Sequence, residues 1–376
     1  MEEKKCRVCG NKFFSEPLLH YENMPAAAQH LPTADSLKND KGVALEVCQC
    51  SGCGLVQLNN DPVSYYREVI RAAAVSAAMR EFRQKQFSDF IAKYALQGKK
   101  IVEIGCGGGE YLSIMQQAGV NAYGLEFAPA AVAECVKKGL KVSQGFIEDR
   151  AAKIADAPFD AFFILNFIEH LPDINDALAG IGNNLVEDGV GIVEVPNFDM
   201  ILRQKLFAEF IPDHLYYFTQ ATLHTALALN GYDILESSAI WHEYIISAVV
   251  RKRRKLELAE FDAHKTNFEK ELMGFIGRYQ SVAIWGAGHQ ALAIISLLKL
   301  ADKIKYVIDS AAFKQGKFTP VSHLPIVAPE TIISSPVEAI IVMAGGYSDE
   351  VAAEIKQKYG QNIKVAVIRY SRLENA

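Results

Sequence analysis

Residues 99–197 alternate short apolar runs with longer amphipathic segments, and this alternation restricts the fold more than any other feature of the chain. Helical periodicity separates the apolar runs, and the last helical segment, residues 174–189, ends at Gly189. Short strands joined by helices of this length predict a parallel, doubly wound α/β sheet. The runs that predict strands are KKIVEIG (99–105), NAYGLE (121–126), KVSQGF (141–146), DAFFILN (160–166) and VGIVEVPN (190–197).

The same pattern divides the chain of 376 residues into several regions. Strand and helix patterns resume over 281–376 and predict a second, smaller Rossmann-like α/β domain. The charged stretch 251–280 predicts a linker helix. The central domain spans 61–250, of which 61–98 form a helical lead-in, and a small cysteine-containing domain occupies 1–60.

Two C-x-x-C pairs in the first sixty residues predict a structural zinc site. Zn²⁺ prefers four ligands in a tetrahedron, and each C-x-x-C turn supplies two thiolates from Cys6, Cys9, Cys50 and Cys53. Cys48 lies two residues before Cys50 and could compete with it, and reduced cysteines without a metal are the alternative. Four protein ligands leave no open position, so this zinc would stabilise the fold rather than catalyse.

A glycine-rich loop follows the first predicted strand, in the form Glu103-x-Gly105-x-Gly107-x-Gly109. Its acidic residue precedes the glycines, whereas the dinucleotide fingerprint G-x-G-x-x-G has none there. The loop resembles motif I of class I S-adenosylmethionine methyltransferases.

That resemblance implies S-adenosylmethionine as the cofactor. In such enzymes the loop holds the amino-acid end of the cofactor, and the acidic residue that ends the next strand accepts hydrogen bonds from both ribose hydroxyls. The implied cofactor residues are Glu103, Gly105, Cys106, Gly107 and Gly109 in the loop, Glu126 at the ribose, Phe127 and Phe146 near the adenine, and Asn166 at the junction with the substrate.

The whole chain resembles the sugar C-methyltransferase family. The resemblance rests on the cysteine pairs with CSGCGLVQ (50–57), on the cofactor domain, and on VIDSAAFKQGKFTPVSHLPI (307–326) in the last domain. A further match is FIPDHLYYFT (210–219), which is similar to the family segment Y-H-E-H-L-x-Y-F. Ile211 and Pro212 replace polar residues of that segment.

The resemblance implies C-methylation of a nucleotide-linked 4-keto-6-deoxyhexose through an enolate. His214 would be the base, Asp213 would hold the local polarity or bind a sugar hydroxyl, and His170 would hydrogen-bond the enolate oxygen. The implied substrate contacts are Tyr66, His242 and Lys314.

Several alternatives remain open at this point. An O- or N-methyltransferase of a sugar or other small molecule needs no carbon acid, and there His214 would only hold a loop. The second glycine loop, Gly286-x-Gly288, with Asp309 ending the next strand, is also typical of NAD-dependent oxidoreductases. A catalytically silent binding protein is a third alternative.

Composition restricts the partners. The net charge is −5 and the one dense basic run, RKRRK (251–255), suits a solvated helix face, so nucleic acid is not expected as a partner. Neither a signal-like apolar segment nor a membrane-spanning run is present, so we expect a cytoplasmic enzyme with reduced cysteines. The expected partner is a small molecule, and the expected state is a monomer or weak homodimer.

Overall fold

The computed structural model describes residues 4–29, 31–69 and 75–376. The chain divides into two compact units, Met1–Lys255 and Leu256–Ala376. The predicted domain 1–60 therefore lies within the first unit, and residues 70–74 of the predicted helical lead-in lie outside the described residues.

A seven-stranded sheet forms the centre of the first unit and confirms the doubly wound α/β fold. Its strand order is β10-β11-β8-β7-β4-β5-β6, and the pairs from β8 to β6 are parallel. The hairpin β10–β11 adds antiparallel strands at one edge, as mixed sheets allow. The strands are β4 (Lys100–Ile104), β5 (Asn121–Glu126), β6 (Lys141–Gln144), β7 (Phe159–Leu165), β8 (Leu185–Pro196), β10 (Tyr232–Ile240) and β11 (Ile245–Lys252).

Helices cover both faces of this sheet, because the central strands are apolar on both sides and must be shielded from water. The helices of the first unit are α1 (Ala77–Lys93), α2 (Glu110–Gln117), α3 (Pro129–Lys137), α4 (Ile174–Asn183), α5 (Phe198–Gln204) and α6 (Gln220–Leu229).

The predicted helix 174–189 is wrong at its C-terminal end. Helix α4 ends at Asn183, and β8 begins at Leu185 rather than at Val190. Asn184 separates the two elements, because its side chain donates to the carbonyls of Gly180 and Ala152 and accepts from the amide of Ile154. This buried amide ends the helix and replaces a glycine cap.

The N-terminal region forms a smaller antiparallel sheet together with one strand from later in the chain. Its order is β1-β2-β3-β9, formed by β1 (Leu19–Met24), β2 (Val43–Gln49), β3 (Val56–Leu58) and β9 (Tyr216–Tyr217). Strand β9 belongs to the segment after β8 and pairs with β3 through Val56–Tyr217 and Gln57–Tyr216. Part of the FIPDHLYYFT segment is therefore a strand of the N-terminal sheet.

The second unit is a six-stranded sheet of order β14-β13-β12-β15-β16-β17. Helix α7, within the predicted linker, packs Phe268, Leu272 and Phe275 into the core of this unit. Its elements are α7 (Ala259–Ile276), β12 (Val282–Trp285), α8 (His289–Leu297), β13 (Val307–Ile308), β14 (Ile326–Val327), α9 (Thr331–Ser334), β15 (Ala339–Val342), α10 (Ser348–Tyr359), β16 (Lys364–Arg369) and β17 (Arg372–Asn375).

Within the described ranges, no helix has both the length and the apolar character needed to cross a membrane.

A fully buried ion pair joins α1 to the central sheet. The guanidinium of Arg83 pairs with both carboxylate oxygens of Glu194 on β8, at 2.7 and 2.6 Å. Gln86 and Ser247 donate further hydrogen bonds to the same carboxylate. This network fixes α1 against the sheet, and removing one charge leaves the other buried and unpaired.

We expect Arg83→Met or Glu194→Gln alone to lower the free energy of unfolding by about 3–5 kcal/mol. The double variant Arg83→Met/Glu194→Gln should recover part of that loss, because it leaves no unpaired buried charge. Denaturant unfolding measures these differences. Lys85→Ala, which breaks the exposed pair with Asp89, is the control and should cost less than about 1 kcal/mol. Single variants as stable as that control would contradict the prediction.

Candidate active site

The glycine loop between β4 and α2 has the backbone conformation that its glycines predict. Gly105, Gly107 and Gly109 have φ angles of +69°, +53° and +78°, a region that other residues rarely adopt. A side chain at Gly105 would also come within 3.1 Å of the Phe167 ring. The alternating glycines therefore let the loop turn sharply and bring its backbone close to a ligand.

Glu126 at the end of β5 organises this loop. One carboxylate oxygen accepts from the amide of Gly107 and the other from the amide of Ala128, both at 2.9 Å. Each oxygen retains a lone pair that could accept a ribose hydroxyl. This position at the carboxyl ends of parallel strands is where open α/β sheets bind their ligands.

Aromatic side chains line a cleft beside Glu126 on the side predicted for the adenine. Phe127 and Phe146 lie edge to face, with ring centroids 6.0 Å apart. Tyr66, predicted to contact the substrate, packs its ring 5.8 Å from Phe146, and Arg67 lies over Tyr66 at 4.8 Å. Tyr66 therefore lies beside Phe146, on the side predicted for the adenine.

A cavity of about 970 Å³ opens between this loop and the FIPDHLYYFT segment. Gly105, Gly107, Glu126 and Asn166 line it, together with the three predicted catalytic residues. Asn166 has a φ of +51°, a conformation that often marks a functional position. The predicted cofactor residues Glu103, Cys106 and Gly109 do not line this cavity.

Cys106 has a packing role in the loop. It is buried, burial raises the pKa of its thiol, and a side chain at Gly124 of β5 would come within 2.5 Å of its sulfur.

Two hydrogen bonds clamp the turn after β7 to the segment that carries His214. The amide of Leu215 donates to the carbonyl of Glu169 at 2.8 Å. The Nδ1 of His170 lies 2.8 Å from the carbonyl oxygen of Asp213. The structure therefore brings His170, Asp213 and His214 together, and the rings of the two histidines are 4.7 Å apart.

The Asp213 carboxylate is already engaged. It accepts from the hydroxyl of Tyr65 at 2.8 Å and from the amide of Ala28 at 3.1 Å. Burial and this hydrogen bond raise the pKa of Tyr65 to about 12. Sequence reasoning selected Tyr66, but the adjacent Tyr65 is the residue that reaches the predicted catalytic cluster. The sequence alone does not indicate which of the two adjacent tyrosines contacts the cluster.

Both histidines are neutral. Burial lowers the pKa of His170, and burial together with repulsion that a protonated His170 would exert lowers the pKa of His214 to about 3. A carbonyl oxygen can only accept, so Nδ1 of His170 carries the proton and Nε2 carries the lone pair. In this tautomer Nε2 of His170 cannot donate a hydrogen bond to an enolate oxygen, which is the role that the family resemblance implies for His170.

Glu169 is a functional candidate that sequence reasoning missed. It is 1% exposed, lines the same cavity, and its Oε2 has no hydrogen-bond partner. Burial raises the pKa of its carboxyl group to about 8. The sequence feature that could have indicated Glu169 is the motif EHLPD, in which this glutamate directly precedes His170.

The structure places His242 away from the cavity. It lies in the turn between β10 and β11, where Trp241, His242 and Glu243 all have positive φ angles, and it is exposed. Its ring packs beside Trp241. His242 is absent from the residues that line the cavity, although Tyr244, at the end of the same turn, lines it.

The four predicted zinc ligands converge at one point. The sulfurs of Cys6 and Cys53 are 3.7 Å apart, those of Cys9 and Cys50 are 3.4 Å apart, and all four lie within 4.8 Å of one another. A tetrahedron with Zn–S bonds of about 2.3 Å has sulfurs about 3.8 Å apart, so the geometry fits zinc. Cys48 is outside this group.

In the second unit, a cavity of about 580 Å³ is lined by the second glycine loop, Asp309 and Lys314. The Asp309 carboxylate accepts from the ammonium of Lys314 at 2.8 Å and from the amides of Ala287 and Ala311. The acid that a dinucleotide ribose would use is therefore engaged by a lysine.

Two family profiles match the chain. Residues 79–237 match a methyltransferase domain, and residues 255–368 match a C-methyltransferase C-terminal domain. The C-methyltransferase NovU of Streptomyces niveus is 22% identical over 388 residues, which cover 94% of this chain and 92% of that protein. These matches confirm the resemblance to C-methyltransferases over nearly the whole chain.

Other similarities are partial. The ubiquinone biosynthesis O-methyltransferase of Stutzerimonas stutzeri is 38% identical over 85 residues, which are 21% of this chain and 36% of that enzyme. Magnesium protoporphyrin IX methyltransferase from Synechocystis covers 50% of this chain and 93% of its own at 17% identity, with a TM-score of 0.38. The PH0226 protein of Pyrococcus horikoshii covers 50% and 98% at 15% identity, with a TM-score of 0.41.

We expect Glu126→Ala to weaken binding of S-adenosylhomocysteine by about 100-fold or more, because two charge-assisted hydrogen bonds to the ribose would be lost. Isothermal titration calorimetry measures this. The control is Glu134→Ala, which removes an exposed carboxylate at the rim of the same cavity. Equal affinities in the two variants would exclude the ribose role of Glu126.

Proposed function

Because the chain is an S-adenosylmethionine-dependent methyltransferase, we propose that it methylates a carbon next to the carbonyl group of a small, nucleotide-linked keto sugar. The observation that carries this proposal is that His170, Asp213 and His214 line the same cavity as the first glycine loop. The relationship to a C-methyltransferase over both units supports carbon as the acceptor.

Methylation at carbon requires a proton to leave before the methyl group arrives. His214 takes the proton of the C–H bond, and that electron pair forms a carbon–carbon double bond while the carbonyl π pair moves to oxygen. The carbon then attacks the methyl group, the bond from that methyl to the sulfonium sulfur breaks, and the carbonyl reforms. Water finally removes the proton from His214.

The low pKa of His214 fits this role in one respect and limits it in another. A lowered pKa favours the neutral ring near neutral pH, in which one ring nitrogen carries a lone pair. A buried imidazolium is costly, however, unless negative charge forms beside it. The enolate supplies that charge, so proton transfer is favourable only when a carbonyl substrate occupies the cavity.

The Tyr65–Asp213 pair positions this base. Asp213 precedes His214, and its carboxylate is tied to Tyr65 and Ala28 of the N-terminal region. A zinc ion held by Cys6, Cys9, Cys50 and Cys53 would stabilise that region and would take no part in the reaction. Lys314 in the second unit remains a candidate for the phosphates of the nucleotide.

We expect His214→Ala to slow exchange of the hydrogen next to the substrate carbonyl in heavy water by at least about 100-fold, while S-adenosylhomocysteine still binds. Mass spectrometry of products from labelled cofactor and a panel of nucleotide-linked keto sugars identifies the methylated atom. The control is His20→Ala, a half-exposed histidine on β1. A methyl group on oxygen or nitrogen, or undiminished exchange, would rule out this mechanism.

We also expect one zinc per chain. Cys53→Ala should lose the metal, since three thiolates remain, whereas Cys48→Ala should keep it because Cys48 is outside the cluster. Inductively coupled plasma mass spectrometry of the purified variants gives the metal content. Metal loss in Cys48→Ala, or full metal content in Cys53→Ala, would refute the ligand assignment.

A further inference from the structure

A carbonyl oxygen that becomes an enolate needs a hydrogen-bond donor, and two candidate donors close to the segment that carries His214 are already engaged. Neutral His170 carries its proton on Nδ1 and donates it to Asp213, so its Nε2 can only accept. The Tyr65 hydroxyl donates to the Asp213 carboxylate. Neither group can turn to the substrate without breaking the contacts that hold the segment in place.

Glu169 differs from these groups, because it lines the cavity and its Oε2 is buried without a hydrogen-bond partner. Its Oε1 lies 4.0 Å from Nε2 of His170, and a ligand atom of each of Glu169, His170 and His214 falls within 4.8 Å of the others. The backbone of Glu169 is fixed by the hydrogen bond from Leu215. The carboxyl group therefore has a defined position, and its Oε2 has no hydrogen-bond partner.

A carboxylate cannot stay buried and charged without compensation, so it must be neutralised by a proton or by a cation. The titratable groups that cluster with it are His170 and His214, and burial lowers the pKa of both histidines. Among the described residues that line the cavity, the one arginine, Arg83, is already paired with Glu194. The proton is the simpler solution, and a neutral carboxylic acid is a hydrogen-bond donor.

We propose that Glu169 acts as a carboxylic acid whose O–H donates to the substrate carbonyl oxygen as negative charge develops there. This proposal rests on the proposed function. When His214 removes the carbon-bound proton, the charge that moves to oxygen is stabilised by the Glu169 hydrogen bond. The proton of Glu169 stays on its oxygen, and the negative charge is neutralised when the carbon forms its bond to the methyl group and the carbonyl reforms. A carboxylic acid kept neutral by an apolar site serves as such a donor in known enzymes.

Two substitutions separate this role from others. Glu169→Gln keeps an N–H donor of similar size, whereas Glu169→Met keeps the volume but removes the donor. We expect kcat to fall by less than about 10-fold in Glu169→Gln and by about 100- to 1,000-fold in Glu169→Met, the usual cost of losing one oxyanion donor. Binding of S-adenosylhomocysteine should be unchanged in both variants, which shows that they fold.

The pH profile gives a second measurement. A raised pKa means that the acid form is populated below that value, so wild-type kcat should be lost as the pH rises through about 8. That alkaline loss should be absent in Glu169→Gln, which does not titrate. Infrared difference spectra of the wild type with S-adenosylhomocysteine should contain a protonated carboxyl band that the variant lacks.

Three results would overturn the proposal. Equal, large losses in both variants would assign Glu169 an ionised role. A second metal ion per chain, lost in Glu169→Met while the ion of the cysteine cluster is kept, would assign the neutralising charge to a cation. Full activity in Glu169→Met would remove the residue from the reaction. If the wild type shows no exchange next to the carbonyl and methylates oxygen or nitrogen, the proposed function itself is wrong, independently of these variants.

Discussion

The main chain of Leu215 makes two hydrogen bonds on which the geometry of the site depends. Its amide donates to the carbonyl of Glu169 in the turn after β7, and its carbonyl accepts from the amide of Leu58 at the end of β3. One residue therefore joins the turn that carries Glu169 and His170 to the N-terminal sheet. Backbone bonds of this kind depend little on side-chain identity.

This arrangement gives the cysteine cluster a consequence for catalysis. Gln57 of β3 donates to the sulfur of Cys6, and the adjacent Leu58 donates to Leu215. Asp213 is held by Ala28 and Tyr65, which also precede the central sheet. A metal bound by the four thiolates would thus order the strands that position His214, although it would lie outside the reacting groups.

The elements that could be predicted from the sequence depend on local patterns. The glycine loop, the cysteine pairs and the alternation of strands and helices each encode their geometry within a few residues, as the positive φ angles of Gly105, Gly107 and Gly109 illustrate. The end of α4 could not be predicted, because Asn184 ends it through contacts with Ala152 and Ile154, about thirty residues away. The choice between Tyr65 and Tyr66 likewise depends on Asp213, which lies 148 residues from Tyr65 in sequence.

The departures of FIPDHLYYFT from the sugar C-methyltransferase pattern have a physical consequence. Ile211 lies on the cavity wall where the family segment has a tyrosine, and Pro212 stands where it has a histidine. An apolar wall removes groups that could solvate a charge, and desolvation is the first cause of the shifted pKa values of Glu169 and His214. For the mechanism proposed above, desolvation favours the protonated form of Glu169 and the neutral form of His214. We therefore expect Ile211→Tyr, which adds a hydroxyl group to the cavity wall, to lower the pKa of Glu169 and to move the alkaline loss of activity to lower pH.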